Sequence, residues 1–221
     1  MSVQKLFGVY GANGAGRGVL PVAREMLKAE EGDTSTRLVF IDDKPQSEMV
    51  NNTPILTYEQ FIESPEQTKS VCIAIANSKV RETLVARCQQ DDLSFFSIRA
   101  QNTVVMDAVE IGEGAIVSPF VTFTSNITIG KHFHANLYSY VEHDCVIGDF
   151  VTFAPGVKCN GNIVIEDHAY LGSGCVIRQG TLGNPMVIGK GAVVGMGAVV
   201  TKNVPAGTTV VGCPAKPISS S

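Results

Sequence analysis

The sequence lacks the features that would direct it to nucleic acid, a membrane or redox-active thiols. It carries 17 Lys and Arg against 21 Asp and Glu, with no basic run, which argues against nucleic acid as the main partner. No stretch of 18 apolar residues and no N-terminal signal segment occurs, which predicts a soluble cytoplasmic protein without membrane insertion. The six cysteines form no Cys-x-x-Cys motif, so neither a zinc ribbon nor a redox pair is indicated.

The second half of the chain contains a six-residue repeat. Apolar or small residues recur at every sixth position from 105 to 177, and a second such track runs from 109 to 175. An α-helix or an ordinary strand does not give this period, whereas the short strands of a parallel β-helix do. Ile111, Ile129 and Ile147 are spaced by 18 residues, which predicts three strands per coil and a triangular prism.

One interruption in the repeat predicts a loop. The six-residue repeat is interrupted by five additional residues and resumes at Ile188. A short loop is therefore expected to leave the prism around residues 181–185. Such insertions often carry function, because they lie beside a rigid scaffold. Cys145, Cys159 and Cys175 fall on the inward tracks and are expected to be small core residues rather than ligands.

Residues 1–98 have a different pattern, in which short apolar strands alternate with helices. The expected strands are 6–10, 38–41, 71–76 and 94–98, and the expected helices are 19–28 and 78–89. This order predicts a small parallel sheet of Rossmann type. We therefore expect a small α/β Rossmann-like domain over residues 1–98, followed by a parallel β-helix over residues 99–221.

A glycine-rich segment at residues 11–18 follows the first strand. Glycines let a backbone approach a phosphate, and the helix behind them offers free N–H groups to the anion. Asp42 and Asp43 end the second strand, where a carboxylate accepts hydrogen bonds from a ribose or a base. A tight turn without a ligand is the alternative, but this position favours a nucleotide. NAD is not expected, because the domain is too short for two mononucleotide-binding halves.

The segment at residues 136–149 is the richest in chemistry. His143 lies between the inward positions Val141 and Cys145, so it is predicted to point outward. The neighbouring Asp144 can orient an imidazole and stabilise the imidazolium. Such a His is suited to take a proton from an amine or a hydroxyl that attacks a thioester. A surface His beside an Asp without any function is the alternative that the spacing leaves open.

The hexad domain, the runs at 142–149 and 158–162, and the closing Gly-Cys-Pro-Ala-Lys at 212–216 resemble a known family. It comprises left-handed β-helix acyltransferases that N-acetylate nucleotide-linked amino sugars, together with sialic acid O-acetyltransferases. The strongest resemblance is to the bacillosamine-pathway UDP-4-amino-sugar acetyltransferases, whose nucleotide-sugar domain opens like the Tyr-Gly-Ala-Asn-Gly-Ala-Gly at 10–16. The left hand of the β-helix comes from this resemblance, since crossovers between parallel strands are otherwise nearly always right-handed.

The resemblance implies a reaction and an assembly. It implies acetyl-CoA-dependent acetylation of the amino group of a UDP-linked 4-amino-4,6-dideoxy sugar, for surface glycan or glycoprotein synthesis. It also implies a homotrimer, with acetyl-CoA between adjacent prisms and no metal. His143 matches the family's general base, Asp144 the acid that supports it, and Asn136 a polar residue near the reacting amine.

The resemblance also assigns the residues that bind the two substrates. On the sugar-nucleotide side these are Asn13, Gly14 and Ala15 at the phosphates, Asp42 and Asp43 at the uridine, and Ala76 beside the sugar. On the acetyl-CoA side they are Thr152, Gly161, Ser173, Gly195 and Lys216. Two positions depart from the family, because Ala15 and Thr152 stand where relatives carry His, and this leaves the exact sugar open.

Several alternatives stay open. Within the family these are O-acetylation of sialic acid or another sugar, and N-acetylation of a GDP-linked amino sugar. A zinc site is a second, because hexad carbonic anhydrases bind zinc with three His, and this chain has His132, His134 and His168. His132 and His134 are predicted to point outward, which weakens this hypothesis. A nucleotide-sugar sensor or assembly scaffold without catalysis is the third.

Overall fold

A computed structural model of the protein describes residues 5–31 and 36–218, and the chain divides between Ala100 and Gln101 into two compact units. The elements of the first unit are β1 (Lys5–Tyr10), α1 (Gly14–Glu31), β2 (Thr36–Ile41), β3 (Met49–Val50), β4 (Thr53–Leu56), α2 (Tyr58–Glu63), β5 (Thr68–Ile73), α3 (Ser78–Gln90), β6 (Ser94–Phe95) and β7 (Ile98–Arg99). None of the helices within the described ranges has the length and apolar content needed to cross a bilayer.

The first unit is built on one sheet in the order β3-β4-β2-β1-β5-β6. Strand β1 pairs in parallel over its whole length with β2 on one side and with β5 on the other. The chain thus places β2, β4 and β3 on one side of β1 and then crosses to the other side, where it adds β5 and β6. This reversal creates a crevice at the carboxyl ends of β1 and β5, where ligands of such sheets bind. The predicted α/β domain is confirmed.

The start of the first helix differs from the prediction. Helix α1 begins at Gly14 rather than at residue 19, so the turn after β1 is limited to residues 11–13. The low helix propensity of glycine suggested a longer turn. Packing overrides that propensity, because a Cβ at Gly16 would overlap the carbonyl oxygen of Gly11 and hold the helix away from the strand.

Three elements of the first unit were not predicted, namely β3, β4 and α2. The two strands form an antiparallel hairpin. Helix α2 begins at a capping box, in which Thr57 Oγ1 accepts from the Gln60 backbone N–H at 3.2 Å and Gln60 Oε1 accepts from the Thr57 N–H at 2.8 Å. The Thr-x-x-Gln spacing is the sequence signal that would have revealed this helix.

The second unit is a left-handed parallel β-helix, as predicted. Its strands are β8 (Val104–Val105), β9 (Val109–Ile111), β10 (Ile116–Val117), β11 (Thr122–Phe123), β12 (Ile127–Ile129), β13 (His134–Ala135), β14 (Tyr140–Val141), β15 (Cys145–Ile147), β16 (Thr152–Phe153), β17 (Lys158–Cys159), β18 (Ile163–Ile165), β19 (Tyr170–Leu171), β20 (Val176–Ile177), β21 (Met186–Ile188), β22 (Val193–Val194), β23 (Val199–Val200), β24 (Thr209–Val211) and β25 (Lys216–Pro217). Up to β23 every third strand stacks on the same face, as in β12-β15-β18-β21. At the end of the prism β24 pairs in parallel with β22, and β25 pairs antiparallel with β24.

The register of these faces follows the predicted 18-residue step. Ile129 pairs with Ile147, which pairs with Ile165. Beyond the extruded loop Ile163 pairs with Met186, where an 18-residue step would have reached Thr181. The loop closes on itself through paired backbone hydrogen bonds between Thr181 and Asn184, so the interruption is confirmed.

The interior of the prism is apolar. Most residues of the two hexad tracks are buried in one continuous core, which includes Cys145, Cys159 and Cys175 as predicted. Val105, Val109 and Ile111, at the start of the tracks, are partly buried and pack against it. Phe133 and Phe153 meet edge to face within it, with ring centroids 5.1 Å apart. Since each residue packs on its counterparts one coil away, the core extends along the whole prism.

The corners of the prism adopt the left-handed backbone conformation. One corner stacks His132, Phe150 and His168, with φ of 52°, 58° and 62° and with ring centroids 5.2 and 5.1 Å apart. The two His of this corner and His134 of β13 are buried, whereas the sequence predicted outward-pointing side chains for His132 and His134. At the corner, the stacked rings cover one another although they lie outside the apolar interior.

Two glycines of α1 give a paired test of the first unit. We expect Gly16→Ala to destabilise the protein by about 1–3 kcal/mol, because the overlap is with backbone that cannot move aside. Gly18 is exposed and a Cβ there meets nothing within 4 Å, so Gly18→Ala should stabilise by about 0.5–1 kcal/mol. The Tm values of the two variants, measured by thermal unfolding, should shift in opposite directions from that of the parent. A Gly16→Ala protein as stable as the parent would contradict the packing.

Candidate active site

The His143–Asp144 pair forms a corner of the β-helix between β14 and β15. Asp144 has φ 57°, so the chain turns there and both side chains reach the surface. The Nδ1 atom of His143 lies 2.7 Å from Oδ2 of Asp144, and the two side chains are 53% and 45% exposed. The outward position expected from the repeat is therefore observed, and the imidazole is accessible to a ligand.

A further contact on the carboxylate comes from the preceding coil. The Nδ2 group of Asn126 donates to Oδ1 of Asp144 at 3.1 Å. The hydrogen bond from His143, and after it that from Asn126, holds the pKa of Asp144 below its usual range. Asp144 is therefore ionised at neutral pH and accepts hydrogen bonds only, which places a proton on Nδ1 of His143 and leaves Nε2 as the basic nitrogen.

Gly161 makes room for the imidazole ring. A Cβ at this position would lie 2.5 Å from Cε1 and 2.6 Å from Nε2 of His143. The ring thus rests on the backbone of the next coil, and Asp144 holds its other side. The resemblance assigned Gly161 to acetyl-CoA, and the structure adds this contact with the catalytic candidate.

A polar pocket begins at the residue before Gly161. It has a volume of about 520 Å³ and is lined by Asn160, Arg178, Gln179, Gly180 and Thr181. Asn160 also accepts a hydrogen bond at 2.9 Å from the hydroxyl of Tyr140. The pocket extends from the coil that follows His143 to the base of the extruded loop. The cation that Arg178 contributes to it was not identified from the sequence.

Asn136 lies on a different corner from His143. It precedes the turn at Tyr138, whose φ is 60°, and its side chain donates to the carbonyl of Phe153 at 2.8 Å. One side of the prism separates the two corners, a distance on the order of 15 Å at the usual rise per strand residue. Within one chain the structure does not bring Asn136 and His143 together.

The residues assigned to acetyl-CoA differ in accessibility. Ser173 and Lys216 are exposed, and Lys216 offers a cation suited to phosphate groups. Gly195 is partly exposed, and a Cβ there would lie 2.7 Å from Val211 Cγ1, so this glycine is required for packing as well. Thr152 is only 2% exposed within β16, where its burial favours a packing role, and its contact with the coenzyme stays a prediction.

In the first unit, the predicted phosphate-side residues lie at the crevice between β1 and β5. Gly11 has φ 111° and approaches Ile75, whose Cδ1 would lie 2.8 Å from an added Cβ. Asn13, Gly14 and Ala15 are exposed at the start of α1, where backbone N–H groups lack helical partners. Ala76 is exposed just beyond β5. The structure therefore places these residues at the ligand-binding edge of the sheet.

Asp43 belongs to a charged cluster that the sequence did not reveal. It accepts hydrogen bonds from the Tyr10 hydroxyl at 2.7 Å and from Arg87 at 2.9 Å. Arg87 also binds Glu59 at 2.8 Å and lies 3.7 Å above the ring of Tyr58. Burial and then the bond to Asp43 raise the pKa of Tyr10, so its hydroxyl keeps its proton and donates. No local pattern links Asp43 with Arg87, which lies far along the chain.

Asp42 is held by its own turn. One of its oxygens accepts the backbone N–H of Lys44 at 3.0 Å. Both predicted acids thus end β2 in fixed orientations, Asp42 through a backbone contact and Asp43 through side chains. Ionised carboxylates fixed in this way are suited to recognise the donors of a base or a ribose.

The described residues contain no group of three or more His, Cys, Asp or Glu side chains arranged to hold a metal ion. The rings of His132 and His168 stack on opposite faces of Phe150, which separates them. These contacts support a structural role for the two His.

Comparison with known proteins defines the class. The PglD N-terminal domain family matches residues 7–88. The GDP-perosamine N-acetyltransferase of Escherichia coli O157:H7 is 49% identical over 216 residues, which cover 98% of this chain and 97% of that protein. The structure of WeeI from Acinetobacter baumannii AYE is 55% identical with a TM-score of 0.92, and covers 97% of this chain and all of that one.

Two further solved structures share the fold. The acetyltransferase domain of PglB from Neisseria gonorrhoeae in complex with acetyl coenzyme A is 26% identical, with a TM-score of 0.85, over 97% of this chain and 100% of that one. The perosamine N-acetyltransferase from Caulobacter crescentus, in complex with CoA and GDP-perosamine, is 24% identical with a TM-score of 0.84, over 97% of each chain. The prism is thus that of a hexapeptide-repeat acyltransferase. Within that class, the chain belongs to the sugar N-acetyltransferases, and the predicted family is confirmed.

The contact between Gly161 and His143 gives a direct test of the site. We expect Gly161→Ala to lower kcat for acetyl transfer about 10- to 100-fold, because the added methyl displaces the ring from its productive position. The fold should persist, since the group that must move is the far end of a side chain. In a His143→Ala background the same change should have no further effect on the residual rate. A full additional loss there would show that Gly161 acts elsewhere.

Proposed function

We propose that the protein transfers an acetyl group from acetyl-CoA to the amino group of a GDP-linked amino sugar of the GDP-perosamine class. The His143–Asp144 corner carries the catalytic part of this proposal. The near full-length similarity to a GDP-perosamine N-acetyltransferase supports the substrate. The resemblance seen in the sequence implied a uridine nucleotide, and the relatives favour guanosine over it.

The residues of the corner are suited to acid–base catalysis. Acetyl-CoA supplies the activated acetyl group as a thioester. As the amine forms its bond to the acetyl carbon and the bond to sulfur breaks, Nε2 of His143 accepts the proton that the nitrogen loses. His143 then returns this proton to the departing sulfur, which leaves as the thiol of CoA. Asp144 stabilises the imidazolium in between, so the charges balance at each step.

The acids at the end of β2 suit guanine. Guanine presents two adjacent donors on one edge, the N1–H and the N2 amino group, whereas uracil presents one N–H between two carbonyl oxygens. An ionised carboxylate only accepts hydrogen bonds and has about four lone-pair sites on its two oxygens, so it can accept from the two guanine donors and keep its contacts with the protein. Asp42 uses one oxygen for a backbone contact and Asp43 is fixed by Tyr10 and Arg87, which provides acceptors whose position is already set.

We propose a homotrimer in which neighbouring chains complete the active site. Asn136 and His143 of one chain lie on different corners, so they meet at one substrate only if separate copies supply them. The corner next to Asn136 exposes a stacked aromatic pair, Phe120 and Tyr138, with ring centroids 4.9 Å apart. Leu137, which directly precedes Tyr138, is also exposed. An apolar patch of this kind marks an interface.

Nucleotide preference can be measured without turnover. We expect GDP to raise Tm more than UDP or CMP does, because the carboxylates match the donors of guanine. A ligand that binds only the folded protein adds about 2.7 kcal/mol at a concentration of 100 times its Kd. An Asp43→Ala protein should lose most of the shift caused by GDP. A larger shift with UDP would support a UDP-amino sugar as the acceptor.

The catalytic pair predicts a graded loss of rate. His143→Ala should lower kcat by about 10² to 10⁴ with little change in Tm, because the side chain is exposed and general-base catalysis is lost. Asp144→Asn removes the carboxylate that holds the ring and stabilises the imidazolium, so kcat should fall by less than in His143→Ala. Steady-state kinetics of the two variants decide this. An Asp144→Asn protein with the kcat of the parent would exclude Asp144 from the supporting role.

A further inference from the structure

We propose that Asn126 is a positioning residue for acetyl transfer, which fixes the carboxylate of Asp144 and through it the tautomer and orientation of the His143 ring. This inference rests on the proposed catalytic role of His143. It adds a third member to the corner, supplied by the preceding coil.

The backbone places Asn126 and Asp144 one above the other. The two residues are separated by one 18-residue step, and both have the left-handed conformation, with φ of 58° and 57°. The Asp144 N–H donates to the carbonyl of Ser125 at 3.1 Å, and the Asn126 N–H donates to that of Asp107 at 3.1 Å. Each side chain therefore starts from a fixed point on the same corner.

The hydrogen bonds divide the carboxylate between two partners. Oδ1 of Asp144 receives the amide of Asn126 at 3.1 Å, and Oδ2 lies 2.7 Å from Nδ1 of His143. Because an ionised carboxylate only accepts, the amide must present its nitrogen, and the ring must present a protonated Nδ1. Two partners on opposite oxygens fix the plane of a carboxylate that one exposed contact would leave free to rotate. Nε2 of His143 is thereby held as the base.

The residue that occupies the same corner in the preceding coil indicates that the amide of Asn126 is not needed for folding. Ala108 occupies the equivalent corner one coil earlier with φ 52°, so the β-helix accepts alanine in this conformation. An Asn126→Ala protein should therefore fold and report on the side chain alone. Asparagine combines tolerance of the left-handed conformation with a donor group.

Three variants test the proposal. Asn126→Ala should lower kcat about 10-fold, because the carboxylate that orients the His143 ring loses one of its two partners. KM for both substrates should stay nearly unchanged. In an Asp144→Ala background the same change should cost less than about two-fold, because the group through which Asn126 acts is gone. Asn126→Asp replaces the donor with a second carboxylate that repels Asp144, so it should lower kcat at least as far as Asn126→Ala.

A control and the contrary outcomes complete the test. Asn203→Ala removes an exposed amide that accepts the Val187 N–H at 3.0 Å elsewhere in the prism, and it should leave kcat unchanged. An Asn126→Ala protein with kcat within two-fold of the parent, or with an equal loss in the Asp144→Ala background, overturns the positioning role. An Asn126→Asp protein with the kcat of the parent does the same. Failure of the proposed function is distinct, because the parent protein itself would then show no acetyl transfer that depends on His143.

Discussion

The stacking of each coil on the next is the constraint on which the other features depend. A residue and its counterpart one coil further on occupy the same place in the prism, as Ile129, Ile147 and Ile165 do inside it. Outside it, the same rule brings Asn126 next to Asp144 and sets the ring of His143 against Gly161. The regularity that builds the core therefore also builds the candidate catalytic corner, since one displaced coil would separate all of these contacts.

In the proposed function, the first unit binds the nucleotide of the substrate and the second carries out the acetyl transfer. The first unit offers a turn for phosphates at Gly11 and fixed carboxylates at the end of β2, which suits recognition of a nucleotide without any change to it. In the proposed function the second supplies His143 as the base, Asp144 as the acid that supports it, and an exposed surface. Binding energy gained from a remote part of a substrate can position the reacting amine.

The β-helix could be predicted from sequence because its core repeats, whereas features without a period could not. The six-residue repeat predicts the coils, the inward positions of three cysteines and the outward position of His143. They did not reveal that His132 is buried, because the stacking of corner rings depends on which residues share a corner rather than on an inward track. The start of α1 was misjudged because close packing at Gly16 outweighs glycine's propensity. The cluster of Asp43 with Arg87 joins distant segments, and only the folded sheet brings them together.

The proposed function requires that acetyl transfer takes place at a corner that two copies of the chain complete. Co-expression of an Asn136→Ala chain with a His143→Ala chain tests it most directly, since each variant alone lacks one member of every site. If neighbouring chains share the site, random mixing restores both members in about a quarter of the sites, and activity rises well above that of either variant. Activity no greater than the mean of the two separate variants would contradict the claim.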